Sequence, residues 1–220
     1  MIARHLISEE IIPLKTSNTG EEALELMEDL KVSHLPIVNN EVFLGLISEQ
    51  DIYDLNSPEE PLGNYQLSLK HPYVNDHQHI YDVLKLVNEM KLSLIPVLDD
   101  HERYLGCITL MDLVNAMAGS FSLENPGGVI VLEMSQNDYD LSEIARIVES
   151  NDAKVLSLFI STHVDSTRLE VVLKLNRTEL GGVLQTFDRY GYFVKASFGD
   201  EEDNDDLKEN YDSLMNYLNL

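Results

Sequence analysis

The sequence predicts a mixed α/β (α+β) chain: two β-α-β-β-α repeats, then one β-α-β-β-α-β unit of the ferredoxin-like order. Three observations carry this expectation. The string SHLPIV at 33–38 returns as SLIPVL at 93–98, and GLISEQDI at 45–52 returns as GCITLMDL at 106–113. The offsets are sixty and sixty-one, so a unit of about sixty residues is present twice. Beyond residue 128 neither string recurs, and the apolar pattern takes a new order of elements. The boundaries expected are 1–60 and 61–121 for the repeats, 126–199 for the third unit and 200–220 for an acidic tail.

In the first repeat, residues 11–14 form a short apolar run that opens the unit. Ala23, Leu24, Met27 and Leu30 then follow helical spacing over 21–30. Residues 35–38 are strand-like, Asn39, Asn40 and Glu41 supply turn chemistry, and 42–47 return as a second strand. In the second repeat Ile80, Val83, Leu84, Val87 and Met90 make the helix face, Asp99 and Asp100 the turn, and 104–108 the return strand. Residues 112–117 open the closing helix. The stretch 56–61, with Pro58 and Pro61, reads as a linker between the copies.

Asn125, Pro126, Gly127 and Gly128 mark the next boundary. After it, 129–134 reads as a strand, and Leu141, Ile144, Ala145 and Val148 as a helix face. Residues 155–161 and 169–175 read as strands joined by a turn at 164–167. Leu180, Val183, Leu184 and Phe187 form a second helix face, and 192–198 a last strand. In the tail, residues 200–206 are a solvated acidic run. Leu207, Tyr211, Leu214, Met215 and Leu218 recur at helical spacing and predict a terminal helix.

Composition bounds the partners. The net charge is −24, divided as −13 over 1–120, −3 over 126–199, −1 at Glu124 and −7 over 200–220. Backbone binding to nucleic acid needs clustered Lys and Arg, and none occurs. An anionic membrane surface is disfavoured on the same ground. No apolar run reaches the roughly 20 residues of a membrane span, and the start of the chain lacks a charged-then-apolar leader pattern. Cys107 is a lone cysteine and so forms no intramolecular disulfide. A cytoplasmic location is expected. Cys107 itself falls where the repeat demands a buried strand residue.

The two Gly-apolar-apolar-Ser/Thr-x-x-Asp strings, each preceded by a Pro-apolar pair (Pro36-Ile37 and Pro96-Val97), resemble a tandem pair of CBS domains over residues 1–120. Residues 126–199 resemble an ACT domain by element order. Together the chain is similar to small bacterial CBS-pair proteins with a C-terminal ACT domain, including the acetoin-utilisation type. The resemblance implies ligand sensing and homodimerisation without catalysis. It also implies that Ser48, Asp51, Thr109 and Asp112 face an adenosine-type ligand, the carboxylates accepting from ribose hydroxyls. The same residues read simply as helix caps, since a hydroxyl followed three positions later by an acid is a capping pattern. Thr16, His34, Lys70 and His71 are the candidates for the phosphate side.

With −13 on this segment, AMP, adenosine or S-adenosylmethionine suits it better than free ATP, Mg²⁺ being able to reverse that preference. No cofactor is required, and a bound adenine nucleotide or S-adenosylmethionine is the expected ligand. His71, His77 and His79 around Asp76 read as surface histidines in a loop, so no metal is expected. The loop at 135–140 lacks the glycine that leaves room for an amino acid in the ACT family, with Asp138 or Tyr139 in its place. The missing glycine counts against an amino acid binding at this loop. Gly181 and Gly182 lack a following Lys and Ser/Thr, so they form no phosphate-binding P-loop. No serine elbow or Cys–His signature marks an active site. The alternative to a sensor is a ligand-free scaffold acting on a partner protein.

Overall fold

Two compact units, Met1–Ala116 and Met117–Leu220, divide the chain in a computed structural model that describes residues 1–65, 70–162 and 167–199. The tail with its expected helix, and most of the expected 164–167 turn, lie outside the described residues.

In the first unit, α1 (Gly20–Leu30) opens with a complete capping box: the Thr19 side chain accepts from Glu22 N–H, and Glu22 reaches back to Thr19 N–H. Its apolar stripe buries Ala23 and Met27. The antiparallel pair β1 (His34–Asn39) and β2 (Val42–Ser48) follows. Asn40 and Glu41 both take positive φ, 48° and 68°, the conformation a two-residue hairpin turn requires. α2 (Glu49–Tyr53) ends this repeat after a single turn and a half. The second repeat supplies β3 (Val74–Asn75), α3 (Ile80–Met90), β4 (Leu94–Leu98), β5 (Tyr104–Thr109) and α4 (Leu110–Ser120), with sheet order β3-β4-β5.

Corresponding irregularities mark the repeats as copies. Register shifts fall between Ile37 and Val38 and between Val97 and Leu98, and the glycines opposite, Gly45 and Gly106, have φ of 142° and 153°. Only glycine takes that backbone without strain, which explains why both strings begin with it.

The repeats are interlocked, which the periodicity did not reveal. Ser8 N–H donates to the Cys107 carbonyl at 2.8 Å, so the segment before the first repeat pairs with the last strand of the second. Leu46 N–H donates to the Lys70 carbonyl at 2.9 Å, the mirror arrangement. Further along, Ile2 bridges His79 and Thr19 bridges Pro61. Residues 1–8, and Pro61 and Lys70, thus each clasp the other copy, and one core forms from Leu14, Leu35, Ile37, Ile47, Leu94, Ile95 and Ile108, each at most 1% exposed.

The second unit holds β6 (Val129–Ser135), α5 (Leu141–Glu149), β7 (Val155–Thr162), β8 (Arg168–Leu175), α6 (Gly181–Arg189) and β9 (Phe193–Phe198). Its antiparallel sheet has the order β7-β8-β6-β9, the ferredoxin-like arrangement. Period-two alternation turns Ile130, Leu132 and Met134 inward from β6, and Leu169, Val171, Leu173 and Leu175 from β8. Ile144, Ile147 and Val148 of α5 and Val183 and Phe187 of α6 complete the core. Leu141, expected on the α5 face, is exposed, and Ile147 takes the buried position instead.

Candidate ligand site at the seam of the repeats

Each repeat places a hydroxyl and a carboxylate where a strand turns into a helix. Ser48 Oγ donates to Asp51 Oδ2 (2.6 Å), which also accepts from Ser48 N–H (2.8 Å); Asp51 N–H returns a bond to Ser48 Oγ (3.2 Å). Thr109 and Asp112 reproduce this with 2.6, 2.9 and 3.1 Å. The caps are therefore closed in both copies. Oδ2 of each carboxylate is committed, while Oδ1 has no hydrogen-bond partner among the described residues.

The two junctions meet through a pair of serines that occupy the same position in the repeat. The first helical N–H of α2, from Glu49, donates to the Ser33 carbonyl, and that of α4, from Leu110, to the Ser93 carbonyl, both at 3.1 Å. Ser33 N–H donates to Ser93 Oγ at 3.0 Å, and Ser93 N–H donates to His34 Nδ1 at 3.3 Å. His34 Nδ1 also lies 3.1 Å from Ser93 Oγ and 3.2 Å from Ser33 Oγ. Its role as acceptor for a backbone N–H keeps Nδ1 unprotonated. Burial holds the His34 pKa below the ordinary histidine range; Lys70 lowers it further, and Asp51 and Glu49 oppose.

The seam thus gathers His34, Ser48, Asp51, Thr109 and Asp112, with Lys70 close enough to act on His34. Thr16 and His71 stand apart from the His34 group. Thr16 bonds to Asn39 (Asn39 Nδ2 to Thr16 Oγ1, 2.9 Å) at the far end of β1 from His34, about 17 Å along the strand. His71 lies edge-on to Phe43, with ring centroids 6.0 Å apart. Ser33 and Ser93 are the residues sequence reasoning passed over. They open the two repeated strings, so a polar pair at equal positions was the available signal.

A cavity of about 560 Å³ reaches this seam, with Ser33, Ser93 and Glu49 in its wall. Met27 and Val32 form an apolar floor, and Glu25, Glu28 and Tyr53 stand around it. Cys107 is inert: burial raises its thiol to about 12, against a bond from Tyr104 Oη that lowers it.

In the second unit a cavity of about 820 Å³ opens beside the 135–140 loop, and Asp138 lines it with Glu133, Arg168 and Tyr192. Tyr139 packs on the core instead. Tyr192 Oη donates to Glu143 at 2.9 Å, and burial, then this bond, raises the phenol pKa.

The CBS domain family matches residues 3–57 and 66–119. An uncharacterized protein of Methanocaldococcus jannaschii is 26% identical over 118 residues, 51% of this chain and 38% of that relative. The chain spans less than half the length of the curated relatives it matches. Among solved structures, a CBS domain pair/ACT domain protein of Thermotoga maritima is 22% identical, covering 54% of this chain and 98% of the other with a TM-score of 0.48. CBSX2 of Arabidopsis thaliana, solved in complex with AMP, is 22% identical, covering 54% and 96% with a TM-score of 0.46.

Proposed function

Starting from a chain that carries a tandem pair of CBS domains at 3–57 and 66–119, we propose that it is a regulatory protein whose CBS pair binds an adenosine-containing ligand. The observation that carries this reading is the seam: two Ser/Thr–Asp junctions tied together through Ser33 and Ser93, each carboxylate keeping Oδ1 for a second acceptor role. A ribose diol offers two donors, and an ionised carboxylate is a strong acceptor for them. Asp51 and Asp112 take that role in this proposal, and Lys70 the phosphate side. The charge of −13 over 1–120 favours AMP, adenosine or S-adenosylmethionine over free ATP.

Catalysis has no part in this reading. Ligand acts by favouring one relative arrangement of the two repeats, and can do so only by its differential affinity for the arrangements. We place the protein in the cytoplasm; no described helix is long and apolar enough to cross a membrane. We assign 126–199 as an ACT-like domain serving dimerisation or a second effector. Exposed Leu110, Met111 and Val114 on α4 support assembly as a homodimer. A second reading, a ligand-free scaffold, draws on the caps: both carboxylates are already closed on their own helices.

A thermal-shift panel separates the two. AMP, ADP, ATP with and without Mg²⁺, S-adenosylmethionine, NADH and single amino acids are each added to the full chain. A ligand at a hundred times its Kd stabilises by about 2.7 kcal/mol, a rise of about 5–10 °C for a chain of this size. The sensor predicts such a rise with one adenosyl compound, and its loss in Asp51→Ala and Asp112→Ala, each measured from that variant's own ligand-free Tm. No shift with any compound on folded protein favours the scaffold.

A further inference from the structure

The loops at the outer end of the second repeat bring two neighbouring side chains, Asp76 and His77, together with Asp100, which lies more than twenty positions further along the chain. Asp76 and His77 lie between β3 and α3, and Asp100 lies in the turn between β4 and β5. His77 Nδ1 is 3.4 Å from Asp76 Oδ1 and 3.4 Å from Asp100 Oδ1, and the three donor atoms lie within 4.8 Å of one another. These separations are long for hydrogen bonds. They match another geometry: with metal–ligand bonds of about 2.1 Å, as zinc makes to imidazole nitrogen and carboxylate oxygen, the edge of a coordination tetrahedron is about 3.4 Å.

Both loops are braced. Asp76 N–H donates to the Leu98 carbonyl at 3.0 Å, tying one loop to the other. Arg4, from the segment that clasps this repeat, holds Asp76 Oδ2 at 3.2 Å and leaves Oδ1 toward His77. Beside Asp100, Asp99 accepts from His101 N–H and Arg103 N–H, both at 2.9 Å, and pairs with the Arg103 guanidinium at 2.7 Å. The turn that carries Asp100 is therefore shaped by its neighbour, and Asp100 itself faces solvent and His77.

The other repeat provides an internal comparison. Leu14 pairs with Ile37 as Val74 pairs with Val97. The positions matching Asp76, His77 and Asp100 are thus Thr16, Ser17 and Asn40. Three poor metal ligands in one copy stand where the other has an imidazole and two carboxylates.

We propose that Asp76, His77 and Asp100 bind one divalent transition-metal ion, zinc by ligand type, with the remaining coordination open to water. Nitrogen ligation disfavours Mg²⁺ and Ca²⁺, which take oxygen ligands. Bound metal joins the β3–α3 loop to the β4–β5 turn and gives this repeat an input that the first lacks, whatever ligand the seam takes.

The test is zinc titration of the full chain by calorimetry, with Mg²⁺ in excess to occupy carboxylate-only sites. One saturable site per chain is expected, weakened at least tenfold in His77→Ala and in Asp100→Asn. The neighbouring His101→Ala serves as control and binds like the parent. His77 and Asp100 are 64% and 77% exposed, so their variants retain the fold, which circular dichroism checks. A parent without a saturable site, parent-like binding by His77→Ala, or loss of binding in His101→Ala overturns the proposal.

Discussion

His34 shows how one side chain reads its surroundings. Its string is shared with the second repeat, where Leu94 stands in the same place, so this asymmetry was visible in the sequence. Its partners were not: Ser93 is fifty-nine positions away, and it arrives only because the repeats face each other. Burial is the leading cause of the lowered pKa, so the neutral form is favoured in the folded state. The unfolded chain takes up a proton near the ordinary value of about 6.5 while the folded one does so lower. Stability from His34 is therefore fully present above the unfolded pKa, and is lost as pH falls through the folded pKa. Urea unfolding at mildly alkaline and mildly acidic pH should show the parent losing more stability on acidification than His34→Gln. Equal losses would remove His34 from the acid response.

At the scale of elements, most helices and strands were legible because their signals are local. Ser48 with Asp51 and Thr109 with Asp112 declare helix starts within four residues. Alternation along β6 and β8 declares one buried face. The clasp segments were not legible, since pairing of Ser8 with Cys107 spans ninety-nine positions and leaves no periodic trace. Gly106 sits beneath that clasp. A Cβ there meets Ile7 Cγ2 at 2.4 Å, on a backbone with φ of 153°. Gly106→Ala should cost about 1–3 kcal/mol, combining backbone strain with displacement of Ile7. Chemical denaturation measures it, and a neutral result would mean that the clasp yields freely.

For the whole molecule, charge is the global quantity. At −24 over 220 residues, like-charge repulsion opposes compaction, and the described ion pairs, such as Arg4–Asp76 and Arg103–Asp99, are exposed on at least one side. Raising NaCl from low to physiological concentration should raise Tm, because screening relieves the net repulsion more than it weakens these pairs. A falling Tm would show that the paired charges dominate.

What the sequence determined by itself was whatever short-range physics encodes: two copies of one unit, their helix starts and hairpins, the glycines of Gly45 and Gly106, and the ferredoxin-like order that follows. Tertiary structure alone decided which distant atoms meet. It joined Ser33 to Ser93 at the seam, parted Thr16 from His34 by the length of β1, and brought Asp100 to His77. The reason is that a repeat period specifies each copy but not the rotation between copies; that rotation is set by packing of the shared core around Leu35, Ile37, Leu94 and Ile95.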